Sequence, residues 1–174
     1  DLLSKTAGSV IATYPSPAIH PLRKKLSAFL NINPEMLMLS NGSDLLFSIL
    51  LKTFALHQNK HIVTHEYAFS SYKIQAQTLG IPVRISAVED NWQVNINHIL
   101  AEVDEHTALI FIANPNNPTG FFLALDEIEH LLKSIPSTTI LVLDEAYYEF
   151  AYPAGDPAGM AFLAKYPNLV ITRT

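Results

Sequence analysis

An α/β fold, a three-layer α/β/α arrangement around a mainly parallel sheet, is predicted by three observations. Apolar runs rich in β-branched residues alternate with stretches of helical spacing. Short runs such as residues 140–143 are continuous rather than alternating, as strands covered on both faces require. At 174 residues, 49% of them hydrophobic, the chain can bury one sizeable core and is too short for two large domains.

The elements follow in order. Helices are expected over residues 21–30, 43–56, 70–79, 96–103 and 125–134, with a shorter one near 159–165. Strands are expected at residues 62–64, 82–88, 108–113, 139–143 and 169–172. Ser43 and Asp44 offer side-chain oxygens to the unpaired amides of the second helix, and Asn95 does so for the helix beginning at Ile96. Two prolines and two glycines mark residues 152–159 as a surface loop, and Trp92, after Glu89-Asp90-Asn91, reads as a half-exposed turn residue.

Charge narrows the function classes. Eleven basic residues against sixteen acidic ones give a net charge of −5, with Lys and Arg scattered, so no nucleic-acid or membrane partner is expected. No apolar run approaches a membrane span and no signal peptide is evident, so a soluble cytoplasmic protein is expected. Cysteine is absent, which excludes thiol chemistry and fits a reducing compartment. The chain opens on Asp1 rather than Met and is expected to be cut from something longer.

Polar groups directly after apolar runs carry the functional signal, because open parallel sheets bind ligands at the carboxyl ends of their strands. Two such motifs stand out, Asn114-Pro115-Asn116-Asn117-Pro118-Thr119-Gly120 and Asp144-Glu145-Ala146-Tyr147. A carboxylate at a buried strand end needs a positive partner or several hydrogen bonds; a protonated pyridine nitrogen is one such partner, an arginine or a capped turn another. The prolines and glycine of the first motif restrict its backbone and can fix the direction of the Asn117 amide. Ser40-Asn41-Gly42-Ser43-Asp44 is a glycine turn opening onto a helix, able to receive a phosphate and equally an ordinary helix start. Tyr67, Phe69 and Tyr72 surround another strand-to-helix turn, where an aromatic ring can stack on a planar ligand or simply pack. His57, His61 and His65 fall four apart, but the pattern turns to strand at Ile62-Val63, so no metal site is expected. No Ser-His-Asp order, P-loop or Rossmann fingerprint occurs.

In this order, Tyr14-Pro15, Asn41-Gly42-Ser43-Asp44, the Asn-Pro-Asn-Asn-Pro-Thr-Gly string, Asp144 to Tyr147 and Tyr166-Pro167-Asn168-Leu169 with Arg173-Thr174 strongly resemble the fold-type I, pyridoxal-phosphate-dependent aminotransferases, among them the histidinol-phosphate aminotransferases. The resemblance runs from Tyr14 to Thr174. It implies pyridoxal 5′-phosphate as cofactor and amino-acid, keto-acid or phosphorylated small molecules as substrates. It gives Asp144 the pyridinium N–H, Asn117 and Tyr147 the phenolate oxygen, and Ser43 and Asp44 the phosphate. Phe69 matches the ring-stacking aromatic, with Tyr67 as fallback. Tyr14 matches a tyrosine that reaches the phosphate of a neighbouring subunit, which implies a homodimer.

Two departures accompany the resemblance. Leu45 stands where the family commonly has Glu. The Schiff-base lysine is expected just after Thr174, so the chain reads as a partial large cofactor-binding domain, with the remaining strands and the small C-terminal domain absent, and is expected to be inactive as it stands. Lys52, Lys60, Lys73, Lys133 and Lys165 lie within or beside helices and are not expected to substitute. Two alternatives stay open: a threonine-phosphate decarboxylase or another class I/II enzyme with the same cofactor, and a non-catalytic truncated fold.

Overall fold

A computed structural model describes residues 20–174, and Tyr14 lies outside them. The chain divides into two compact units, Asp1–Ser40 and Asn41–Thr174. In the first, helix α1 (Pro21–Leu30) starts with proline at its first position, where no amide is needed, and His20 Nδ1 accepts from Leu22 N. Asn31, in the left-handed region at φ 53°, ends it. A 3₁₀ turn, Pro34–Met36, follows, and Arg23 Nε donates to Pro34 O at 2.6 Å.

The second unit runs α2 (Ser43–Phe54), β1 (His61–His65), α3 (Ser70–Thr78), β2 (Val83–Ser86), α4 (Ile96–Ala101), β3 (Thr107–Ala113), α5 (Leu125–Ser134), β4 (Ile140–Asp144), α6 (Tyr148–Ala151), a 3₁₀ turn (Ala158–Phe162) and β5 (Leu169–Thr172). The five strands form one parallel sheet in the order β2-β1-β3-β4-β5. From β1 the chain crosses to β2 on one side; from β3 it proceeds to β4 and β5 on the other. The direction reverses between β1 and β3, the switch point at which such sheets open a crevice at their carboxyl ends.

Alternate residues of the central strands supply two apolar layers. Ile62, Leu109, Phe111 and Val142 pack with Phe47 and Leu51 of α2 and Tyr72 and Ala76 of α3. Val63, Ile110, Ile112, Leu141 and Leu143 pack with Ile96 and Ile99 of α4 and Ile128, Leu131 and Leu132 of α5. All seven residues of β3 are buried, which is why its sequence reads as an unbroken apolar run. Among the described residues, no helix is long and apolar enough to cross a membrane.

Several element ends differ from the sequence expectation, each for a local reason. Helix α2 stops at Phe54 rather than 56, because His57 and Asn59 adopt left-handed backbone (φ 59° and 52°) to swing the chain into β1. Helix α4 stops at Ala101 rather than 103, its tail tightened into i→i+3 bonds from Glu102 N to Ile99 O and Val103 N to Leu100 O. Strand β2 ends at Ser86 because Val88 leaves the sheet to bridge Val94 antiparallel, with the exposed Trp92 at φ 66° in the turn between them. The expected helix at 159–165 is the 3₁₀ turn Ala158–Phe162, and the short helix α6 was not anticipated. His61 and His65 both lie on β1, so their spacing from His57 is not that of one helix.

An exposed tie joins α5 to the segment before β5: Glu129 accepts from Lys133 Nζ at 2.8 Å, from Lys165 Nζ and from Tyr166 Oη at 3.0 Å. Hydrogen bonds from Lys133 and Lys165 hold the Glu129 carboxyl down at about 2, against an ordinary 4.5. A folded-state value below the unfolded one means that its stabilising effect is complete above 4.5 and is lost as the pH falls toward 2. A carboxyl-carbon NMR titration should therefore place the Glu129 midpoint well below the ordinary 4.5, and Lys165→Met should bring it back up.

Candidate active site

Three strand ends and one helix start carry the candidate site residues singled out by sequence. Asp144 is the last residue of β4 and only 4% exposed. Val142, Leu143 and Asp144 alternate across the sheet, which sends the Asp144 carboxylate to the α2–α3 side, where Tyr72 Oη donates to its Oδ2 at 2.6 Å. Its Oδ1 accepts from Thr172 Oγ1 at 2.8 Å and from Ala146 N at 3.3 Å. Asp144 is thus an ionisable group whose burial is compensated by donors alone, with no cation in direct contact among the described residues. Burial and the neighbouring Asp144 carboxylate push the Tyr72 phenol far above its usual range, so it remains a donor.

Phe69 immediately precedes α3, and its ring meets Tyr72 edge-on at 5.6 Å. It therefore stands one ring away from the carboxylate. Tyr67, the fallback, is 57% exposed at φ 57°, and its carbonyl accepts from Asn116 Nδ2 at 3.0 Å.

The loop after β3 is braced by its first and second asparagines. Asn114 N donates to Asp144 O at 2.8 Å, and the Asn114 side chain pairs with both Leu123 N (2.7 Å) and Leu123 O (3.1 Å). Asn116 Nδ2 holds Thr119 Oγ1 at 2.8 Å, and Gly120 closes the turn at φ 70°, a backbone that glycine adopts without strain. Both Asn-Pro bonds are cis. Asn117 is half-buried between these anchors, and no hydrogen bond to its amide is found among the described residues. Tyr147, 44% exposed, precedes α6, with its ring 6.1 Å from that of Phe150.

At the start of α2 the sequence expectation needs correcting. Gly42, at φ 86°, is the cap residue, and among the described residues no side-chain hydrogen bond caps the helix. Asp44 turns to α3 instead, where its Oδ1 accepts from Ser71 Oγ and from Gln75 Nε2 at 3.3 Å. The reason is tertiary: α2 and α3 pack together, and hydroxyl and amide donors on α3 compete successfully with the helix's own amides. The consequence is a helix start whose positive dipole end, among the described residues, faces no capping carboxylate. A Cβ added at Gly42 would meet nothing within 4 Å, so the turn has open space beside it.

Tyr72 thus joins Phe69 and Asp144, and Asp44 ties the start of α2 to the same helix α3. Asn117 and Tyr147 follow the ends of β3 and β4 and, among the described residues, make no hydrogen bond to that group. Sequence reasoning missed Tyr72 and Thr172 as the groups that hold Asp144; the β4–β5 register, Asp144 opposite Thr172, is the signal that identifies the second. The residues suit a flat heterocycle with an anionic tail: a hydrogen-bonded carboxylate for a ring N–H, an aromatic face, an amide and a phenol, and a helix start opening on a glycine turn. Lys52, Lys73 and Lys133 lie within helices, Lys60 precedes β1 and Lys165 follows the second 3₁₀ turn, so none of the five stands at the carboxyl end of a strand.

Comparison with known proteins places the chain among aminotransferases. The chain is 55% identical over 164 residues to histidinol-phosphate aminotransferase 2 of Legionella pneumophila strain Paris, covering 94% of this chain and 44% of that protein. It is 37% identical over 164 residues to histidinol-phosphate aminotransferase 1 of Mannheimia succiniciproducens, with the same 94% and 44% coverage. Among solved structures it is similar to histidinol-phosphate aminotransferase from Sinorhizobium meliloti in complex with pyridoxal-5′-phosphate, with a TM-score of 0.83, 26% identity, and 99% and 46% of the two chains covered. The chain therefore spans under half the length of the curated relatives it matches. Residues 3–174 match the model for aminotransferases of class I and II, and the chain belongs to that family.

Proposed function

We propose that this chain is part of the large cofactor-binding domain of a pyridoxal-phosphate-dependent aminotransferase, acting between histidinol phosphate (whose keto partner is imidazole acetol phosphate) and glutamate or 2-oxoglutarate. The observation that carries the reading is Asp144: a buried carboxylate at the carboxyl end of a central strand, oriented by Tyr72 and Thr172. Bound pyridoxal phosphate supplies an electron sink for the substrate's Cα.

The chain's own residues do the following. Asp144 would accept the ring N–H and so hold the proton on the ring nitrogen. Asn117 and Tyr147 donate to the ring's phenolate oxygen. Phe69 covers one face of the ring and excludes water from it. The start of α2, with Ser43 and the backbone of Asp44, receives the phosphate, while the Asp44 carboxylate is kept away by Ser71 and Gln75. Tyr14 completes the phosphate site of a partner subunit in a homodimer. The lysine that carries the proton at Cα comes from the segment following Thr174 in the intact protein. The reading places the enzyme in the cytoplasm, with small-molecule substrates and neither nucleic acid nor membrane as partner.

The test is direct. The intact protein, supplied with pyridoxal phosphate, histidinol phosphate and 2-oxoglutarate, should form glutamate, and the absorbance of its bound cofactor should change on adding the amine alone. Carbon dioxide release without glutamate, or no cofactor absorbance at all, would overturn the reading.

A further inference from the structure

The residue after Asp144 has a different task. Asp144 and Glu145 leave β4 on opposite faces of the sheet, Asp144 toward Tyr72 and Glu145 toward Leu143 and Gly159. The Glu145 side chain is 0% exposed. Its Oε2 accepts from Arg173 Nε at 2.9 Å and Nη2 at 2.7 Å, and its Oε1 accepts from Gly159 N at 2.8 Å. A buried ion pair seldom adds net stability over apolar residues of the same shape, so its presence calls for a reason other than stability.

The contacts of Arg173 supply that reason. Its guanidinium lies 3.7 Å from the centre of the Tyr148 ring, and Nη2 also donates to Pro157 O at 3.0 Å. Tyr148 is the first residue of α6, and Tyr147 directly precedes it. This helix has only four residues, none of them buried, and Phe150 is 87% exposed. Apolar burial therefore does little to hold Tyr147 in place. On the other side, Arg173 follows Thr172, whose hydroxyl donates to Asp144. One guanidinium thus bonds the residue that follows β4, stacks on the first residue of the helix that follows Tyr147, and stands next to the strand residue that orients Asp144.

We propose that Arg173 is a positioning residue that fixes the Tyr147 phenol relative to the Asp144 carboxylate, acting through the Tyr148 ring and Glu145. The assignment rests on the cofactor reading above, since Tyr147 and Asp144 are to meet the same ring. Lysine cannot reproduce it, because an ammonium is a point charge without the planar face that stacks on Tyr148 or the two N–H groups that converge on Glu145.

The experiment uses the intact protein and follows three quantities: pyridoxal-phosphate affinity by fluorescence quenching, the pH midpoint of the bound cofactor's absorbance, and the thermal midpoint. Arg173→Lys should weaken cofactor affinity on the order of tenfold, the equivalent of one misplaced hydrogen bond, and should shift the pH midpoint in the direction that Tyr147→Phe shifts it. In a Tyr147→Phe background, Arg173→Lys should add nothing to either quantity. Tyr148→Leu, which keeps the ion pair and removes only the stacked ring, should reproduce the Arg173→Lys result and serves if that variant does not fold. A lower thermal midpoint with unchanged affinity and pH midpoint, or effects that add to those of Tyr147→Phe, would overturn the assignment. An unsubstituted protein with no cofactor absorbance would overturn the cofactor reading itself and this assignment with it.

Discussion

Asp144→Asn in the intact protein should lower kcat by at least about 10²–10³-fold, the effect of removing one preorganised charge-stabilising group from an active site. The substitution keeps the shape of the side chain and removes its charge. Without that charge, nothing described on this side of the sheet would keep a pyridine nitrogen protonated, because the groups around Asp144 are a phenol, a hydroxyl and a backbone amide, all donors. The same geometry predicts a secondary loss of stability. An asparagine must turn its NH₂ toward either Tyr72 or the Thr172 and Ala146 side, so that a hydroxyl proton or the Ala146 amide loses its acceptor, and an unsatisfied donor in a buried site costs about 1–3 kcal/mol. The two effects separate by measurement: denaturant midpoints report the second, and steady-state kinetics with saturating pyridoxal phosphate report the first. A kcat within a few-fold of the unsubstituted protein would sink the role given to Asp144.

Much of this arrangement is legible in sequence where the signal is local. Strands β3 and β4 announce themselves as continuous apolar runs because both faces of each are covered, and their polar followers mark the carboxyl edge. Helix α5 runs over Leu125–Ser134 as its spacing predicts, with a wide apolar stripe of Ile128, Leu131 and Leu132. Partners fixed by tertiary contact are not legible in this way. Asp44 reads as a cap for its own helix, since that competition is the one visible along the chain, yet its donor Ser71 lies 27 residues away on α3. Tyr72 reads as one aromatic among three, because the carboxylate it serves is 72 residues distant and comes into reach only when α3 packs on the sheet. Arg173 and Glu145 both stand in sequence as motif members. Their pairing depends on the β4–β5 register, which no local pattern specifies.

Phe111→Ala should destabilise the intact protein by about 3–5 kcal/mol, the range for deleting a fully buried aromatic ring, and should also loosen the site. Phe111 is 0% exposed, on the central strand β3. Its ring stacks on that of Tyr72 with centroids 4.9 Å apart and planes 20° apart, and meets Phe47 edge-on at 5.7 Å; Phe47 in turn meets Tyr72 edge-on at 4.9 Å. Three rings from α2, α3 and β3 therefore form one packed cluster, and the hydroxyl at its upper end is the donor to Asp144. Removing the ring on which Tyr72 rests leaves a cavity beneath the phenol, into which Tyr72 can relax away from the carboxylate. Phe111→Leu retains most of the volume and should cost less than half as much, because substitutions that conserve volume leave little cavity. Denaturant unfolding checks the stability difference. Pyridoxal-phosphate affinity, measured under conditions where both variants are fully folded, checks the link to the site: it should fall for alanine and stay near the unsubstituted value for leucine. Equal affinities for the two variants would show that the ring cluster supports the fold without orienting Asp144.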